Sequence, residues 1–314
     1  MTDWHGVPVL VTGGAGFIGS HLIESLAADG ANVVVLDNLR DGSAANLGGN
    51  CAELVVGDVR HAADVGAVIE RTRPRVVFHL AANASVPGSV AEPSYDFEAN
   101  SAGTFVLLDA LRRTGGCERF ILASSGAVYG QPTEFPIRET ASLRPISPYG
   151  ASKLNAEVTA RMFMDVYRIP TVTARLFNAY GPRMARFVVL DFLRKLRKNP
   201  DELEILGDGR QVRDFTFVTD TVQGLRLVAE RGELGEAYNI SSGQSHSVTE
   251  LARCLLEVCG LEGSVRLHYT GNSWTGDAQH WEVDIARLWM IGYEPKVDLE
   301  TGLRITSDWF NGIG

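Results

Sequence analysis

Tyr149 and Lys153 stand four residues apart in Tyr149-Gly150-Ala151-Ser152-Lys153, a spacing that puts both side chains on one face of a helix. A tyrosine that ionises near ~10 is a poor base at neutral pH, but a nearby cation favours its phenolate. Lys153, one turn along, is placed to provide that charge. Upstream, the apolar run Phe120 to Ser124 passes into Ser124-Ser125-Gly126-Ala127-Val128-Tyr129. A serine hydroxyl at a strand end can align a substrate oxygen. Ser125, Tyr149 and Lys153 therefore suit removal of a hydroxyl proton coupled to hydride transfer. Alternation along a strand lets only one of Ser124 and Ser125 face such a site. Without a hydride acceptor, the same tyrosine and lysine would read as a helix cap and a solvated charge.

The N-terminal region offers a place for the acceptor. Strand-like Val9 to Thr12 runs into Gly13-Gly14-Ala15-Gly16-Phe17-Ile18-Gly19, and helix-like Ile18 to Ala28 follows. Glycines at this spacing let backbone amides and a helix N-terminus approach a pyrophosphate. Asp37 closes the second apolar strand, Asn32 to Asp37. A carboxylate there accepts hydrogen bonds from an adenosine ribose 2'-hydroxyl and repels a 2'-phosphate, so NAD is expected over NADP. Asp58-Val59 and Leu80-Ala81-Ala82 follow the third and fourth strands, where the ligand crevice of such a sheet lies.

The elements that must carry these residues alternate. Short β-branched runs (Glu53 to Gly57, Val76 to Leu80, Thr171 to Leu176) are separated by helical stretches such as Val65 to Arg71 and Phe97 to Arg113. That rhythm predicts βαβ units feeding a parallel sheet. After Leu176 it breaks into mixed segments, with helices near Val188 to Lys198, Thr221 to Arg231, Val248 to Cys259 and Leu299 to Phe310. The fold class expected is α/β: a Rossmann-like, doubly wound parallel sheet over residues 1–176, with a smaller α+β substrate-binding lobe over 177–314. Some segments of the second half are expected to return to the first domain. Asp41 to Asn50 reads as the nearest thing to a flexible insertion.

The 314 residues carry a formal net charge of -9. An acidic field of that size argues against nucleic acid or an anionic membrane as partner. Cys51, Cys117, Cys254 and Cys259 are too scattered for a disulfide framework, and no His or Cys cluster has zinc spacing, so no metal is expected. Met1 to Val7 lacks a basic targeting region and no apolar run reaches membrane-spanning length, which fits a reducing cytoplasm.

The order of the motifs resembles the extended short-chain dehydrogenase/reductases that act as nucleotide-sugar epimerases and dehydratases. The resemblance rests on the Gly13 to Gly19 loop, Asp37-Asn38, His79-Leu80-Ala81-Ala82, Asn100 with Gly103-Thr104, and Ser125 with Val128-Tyr129-Gly130. It continues through Tyr149, Lys153, Arg175-Leu176-Phe177-Asn178, Tyr180-Gly181-Pro182-Arg183 and Arg213-Asp214-Phe215, across essentially the whole length. It implies tightly held NAD, contacted by Gly13, Gly16, Phe17, Ile18, Gly19, Asp37, Asn38, Asp58, Val59, Leu80, Ala81, Ala82, Asn100, Tyr149 and Lys153. It implies a nucleotide-sugar substrate, a UDP-sugar above all, met by Ser125, Asn178, the Val188-Val189 backbone, Arg213 on the diphosphate and Asp277 at the nucleotide ribose. It also implies a homodimer built on the helices near Phe97 to Arg113 and Tyr149 to Tyr167, where Phe105, Leu107, Leu108 and Leu111 supply apolar side chains.

Two departures bear on the reaction. The 4,6-dehydratases of that family carry an Asp-Glu pair where this chain has Gly126 and Ala127, neither of which can move a proton. Trp274 stands where the family commonly has an arginine, three residues before Asp277, and cannot pair with phosphate. Overall, the chain most resembles the branch that dehydrates UDP-N-acetylglucosamine across C5 and C6 in tunicamycin biosynthesis. A UDP-hexose 4-epimerase is the alternative, and a non-catalytic NAD-binding regulator an outside one. All catalytic readings begin with oxidation at C4.

Overall fold

A strand with helices on both of its faces must be apolar on both, and the first strands obey this. Val9, Leu10 and Val11 are buried, as are all four residues from Val76 to His79. The computed structural model describes residues 3–48, 52–271 and 278–312. In chain order its first half runs β1 (Pro8–Thr12), α1 (Phe17–Ala28), β2 (Asn32–Asp37), β3 (Glu53–Val56), α2 (Ala62–Thr72), β4 (Val76–His79), α3 (Val86–Ala91), α4 (Pro93–Phe97), α5 (Gly103–Thr114), β5 (Arg119–Ser125), α6 (Pro148–Tyr167) and β6 (Thr171–Leu176). The second half runs β7 (Ala179–Tyr180), α7 (Val188–Lys198), β8 (Glu202–Ile205), β9 (Val212–Asp214), β10 (Thr216–Phe217), α8 (Val218–Arg231), β11 (Ala237–Ile240), β12 (Ser245–Ser247), α9 (Val248–Val258), β13 (Arg266–Tyr269), α10 (Ala286–Met290) and α11 (Leu299–Gly312).

Among the described residues, seven parallel strands form the main sheet in the order β11-β6-β5-β4-β1-β2-β3. The chain leaves β1 in one direction and β4 in the other, so the switch point lies between them and the crevice opens above their carboxyl ends. On one face, Leu22, Ile23 and Leu26 of α1 pack with Val222, Leu225 and Val228 of α8. On the other, Val65, Val68 and Ile69 of α2 pack with Leu107, Leu108 and Leu111 of α5 and Ala156, Ala160 and Phe163 of α6. The sheet is thus the doubly wound, Rossmann-like one expected. Its β11 edge is supplied from beyond Leu176.

A separate apolar core gathers Leu190, Leu193 and Leu196 of α7, Leu203 and Ile205 of β8, Leu251 and Leu255 of α9, and Leu303 and Phe310 of α11. Between α4 and α5, Glu98–Ala102 winds as a π-helix, so the expected single helix is continuous but wider at that point. Such bulges recur beside functional sites. The 41–50 segment contains a short 3-10 turn, Ala44–Leu47, capped by Ser43.

Candidate active site

The crevice above β1 and β4 is a cleft of about 810 Å³. Gly13 ends β1 with φ +71, and a Cβ there would sit 2.6 Å from the Ala81 amide nitrogen. A Cβ on Gly19 would overlap the Gly13 carbonyl. Only glycine therefore permits this packing of loop, helix and the segment after β4. Helix α1 starts after Gly16 with no side-chain cap and no acidic residue in its first turn, which leaves amide donors for an anion. Asp37 is buried, and its two carboxylate oxygens accept from Ala15 N at 2.9 Å and Leu39 N at 2.8 Å. Burial raises its pKa, against those two bonds. Glycine cradle, uncapped helix and carboxylate together suit the pyrophosphate and adenosine ribose of NAD.

Gly13, Gly16, Phe17, Ile18, Gly19, Asp37, Asn38, Asp58, Val59, Leu80, Ala81 and Ala82 all line the cleft. Asn38 Nδ2 donates to Asp58 Oδ2 at 2.9 Å, and the same carboxylate accepts from Arg60 Nη2 at 2.8 Å. Those donors hold the Asp58 carboxyl well below the usual range despite burial. Asn100 is placed differently. It is buried in the π-helical segment, behind the cleft wall, where its amide bonds Asn83, Asp96 and Ser152.

Two elements, the end of β5 and the start of α6, bring Ser125, Tyr149 and Lys153 together. Ser147 caps α6 by accepting from Gly150 N at 3.1 Å, with Pro148 opening the first turn. A Cβ on Gly150 would sit 2.5 Å from the Ala127 carbonyl oxygen, so glycine lets this turn dock against the segment after β5. Tyr149 thereby lines the cleft together with Ser125, and the Ser125 hydroxyl is close enough to favour its phenolate. Ser124 turns away and donates to Glu157, which is bidentate to buried Arg175. The alternation expected along the strand end assigns the cleft hydroxyl to Ser125.

Lys153 is buried, and its ammonium donates to the Ala123 carbonyl at 2.8 Å. Burial pushes its pKa down to about 8, held back by Asp96 and Glu157. Burial raises the Tyr149 pKa, opposed by the Ser125 hydroxyl and the Arg186 charge and assisted by Asp96. Ser125 and Arg186 thus favour the phenolate, opposing burial. Asp96 and Arg186 escaped sequence reasoning. Neither sits in a recognisable motif, and both reach the dyad only through the fold.

On the substrate side, Asn178, Val188, Val189 and Arg213 line the same cleft. Asn178 Nδ2 donates to the Asp214 carbonyl at 3.1 Å. Val188 and Val189 open α7 directly after Phe187, whose φ of 82 is strained for a non-glycine residue. Arg213 donates to the Val212 carbonyl at 2.8 Å and to the Ala278 carbonyl, with its guanidinium 5.1 Å from the Trp281 ring centre. Asp277 and Trp274 lie outside the described residues.

Residues 10–287 match the family model described as GDP-mannose 4,6 dehydratase. The chain is 34% identical over 310 residues to a UDP-glucose 4-epimerase of Mycolicibacterium smegmatis, covering 96% of this chain and 97% of that one. The crystal structure of a UDP-glucose 4-epimerase from Thermotoga maritima with UDP-glucose superposes with a TM-score of 0.91 at 35% identity, covering 97% and 99% of the two chains. A dTDP-glucose 4,6-dehydratase from Streptomyces venezuelae, solved with NAD bound, gives 0.88 at 31%, covering 97% of each. The glycine cradle, Asp37 and the Ser125-Tyr149-Lys153 constellation thus sit in a chain that belongs to the extended short-chain dehydrogenase/reductase family of NAD-dependent nucleotide-sugar epimerases and dehydratases.

Proposed function

We propose that this protein is a UDP-hexose 4-epimerase that oxidises C4 transiently and restores it with inverted configuration. The observation that carries the reading is the pair Gly126 and Ala127 after Ser125. Both are buried, and the Phe177 ring packs so closely on Gly126 that a side chain there would overlap it. Elimination of water across C5 and C6 needs a base for the C5 proton and an acid for the departing hydroxyl. The cleft carboxylates among the described residues are Asp37, Asp41, Asp58, Asp191 and Glu204. Asp37 and Asp58 belong to the adenosine end, Asp41 pairs with Arg186, and Asp191 and Glu204 both pair with Lys195. Epimerisation asks for nothing beyond Ser125, Tyr149 and Lys153.

When bound, NAD supplies the hydride acceptor and, on return, its donor. Ser125 holds the substrate's C4 hydroxyl. The Tyr149 oxygen takes that hydroxyl's proton and later gives it back to the C4 oxygen, after the sugar has turned its other face. Lys153 contributes positive charge beneath the site. Asn178, the start of α7 and Arg213 hold the UDP portion, with arginine suited to a diphosphate by its planar fork of donors.

The test is product analysis after incubation with UDP-glucose, UDP-galactose and UDP-N-acetylglucosamine. Unchanged mass with altered couplings at the C4 proton is expected. Loss of one water's mass would overturn epimerisation, and the NMR spectrum of that product would then separate a 5,6-alkene from a 4-keto-6-deoxy sugar. We also propose a homodimer through α5 and α6, because Phe105, Val158, Met162 and Val166 are apolar yet exposed there.

A further inference from the structure

Asp96 is the next-to-last residue of α4 and is fully buried. Ser152 Oγ donates to its Oδ2 at 2.6 Å, while Asn83 Nδ2 and Asn100 Nδ2 donate to its Oδ1 at 3.1 and 3.2 Å. Among the described residues, no arginine, lysine or histidine forms an ion pair with it. Its hydrogen-bond donors are neutral, the Lys153 charge favours its ionised form, and burial still raises its pKa. The three donors come from separate places. Ser152 lies on α6 between Tyr149 and Lys153, Asn83 lies just past the Leu80-Ala81-Ala82 segment, and Asn100 lies in the π-helical turn.

We propose that Asp96 is a positioning residue of the reaction, whose carboxylate ties the cofactor-side segment after β4 to the helix turn carrying Tyr149 and Lys153 and imposes its negative charge on both. The proposal rests on the Tyr149-Lys153 reading of the site. Lys153 is faced by Asp96 from α4, by Glu157 from its own helix and by His79 from β4. Tyr149 is faced by Ser125 from the end of β5, by Arg186 from the loop before α7 and by Asp96. His79 stays neutral, because burial pushes its pKa down to about 3, which leaves Asp96 as the carboxylate common to both partners.

The sign follows from charge alone. Removing an anion beside Tyr149 makes its phenolate easier to form, and removing it beside Lys153 makes the ammonium easier to lose. Both ionisations should move to lower pH, so a bell-shaped rate profile would slide toward acid. A scaffold role would lower the bell without moving it.

The test uses the NAD-bound protein and needs no substrate. Ionisation of Tyr149 is followed by tyrosinate absorbance as the difference between a protein and its Tyr149→Phe partner, in the wild type, Asp96→Asn, Asp96→Ser and Asp96→Glu. The neutral variants are expected to lower the Tyr149 midpoint by about one pH unit, and Asp96→Glu to restore it. A midpoint unmoved in a neutral variant that keeps its NAD overturns the proposal. Loss of the folded holoenzyme in both neutral variants also overturns it, since Asp96 would then be needed for folding rather than for setting the two ionisations. Stopped-flow reduction of bound NAD on mixing with UDP-glucose, run in parallel, reports separately on the catalytic reading. Its failure in the wild type would count against that reading and leave the tyrosine titration to judge Asp96.

Discussion

The Lys153 ammonium is held by the Ala123 carbonyl at the end of β5, not by the Tyr149 hydroxyl. A buried lysine anchored in this way, with its pKa drawn down to about 8, remains mostly charged at neutral pH and lines the cleft together with Tyr149. Lys153→Ala removes that charge and leaves the Ala123 carbonyl without its partner. Turnover is expected to fall by at least about a hundredfold, and NAD retention after gel filtration to fall with it. Full retention of NAD in this variant would show that Lys153 does not contribute to holding the cofactor.

His79 gives a pH dependence of opposite origin. Its ring is buried between Thr12 Oγ1 at 2.7 Å and Thr104 Oγ1 at 3.0 Å. Thr104 donates to the Asn100 carbonyl, so it accepts from Nε2, and Nδ1 accepts from Thr12. The imidazole is neutral because burial, and secondarily Lys153, push its pKa to about 3. The folded value lies below the unfolded one, so this stabilisation is complete above the unfolded pKa and is lost as pH falls toward the folded one. Between pH ~6.5 and ~5 the wild type should lose about 2 kcal/mol more than His79→Gln, measured by urea unfolding at each pH.

The dimer prediction turns on which apolar residues are left over. Leu107, Leu108 and Leu111 are consumed by the core, whereas Phe105 on α5 and Val158, Met162 and Val166 on α6 face outward. Sedimentation equilibrium is expected to give twice the 34.1 kDa chain mass, and Val158→Asp with Met162→Asp to give a monomer. A wild-type monomer at all concentrations would remove the idea.

Legibility in the sequence followed locality. The glycine loop, Asp37, Ser125, Tyr149 and Lys153 line one cleft, a convergence readable because each position is fixed by spacing within one turn or one strand end. Asp96 was not readable, since its donors come from positions 83, 100 and 152 and meet only in the folded chain. Asn100, expected at the cofactor, has its amide engaged by Asn83, Asp96 and Ser152 of the same network. The surface role of α5 and α6 was half readable, because an apolar helix with two neighbours does not announce which face stays outside. The parallel sheet followed from alternation, yet the pairing of β11 with β6 joins segments more than sixty residues apart and had no local signal.

In the proposed reaction Tyr149 carries the proton of the C4 oxidation. Tyr149→Phe deletes one oxygen and keeps the ring that packs in the cleft, so NAD should remain bound. The direct measurement is absorbance near ~340 nm on adding the true UDP-hexose to NAD-loaded enzyme, which isolates the hydride step from whatever follows it. The wild type is expected to show reduction of its bound NAD, and Tyr149→Phe to show none while still carrying a full complement of cofactor. Reduction of bound NAD by Tyr149→Phe at the wild-type rate would contradict the account.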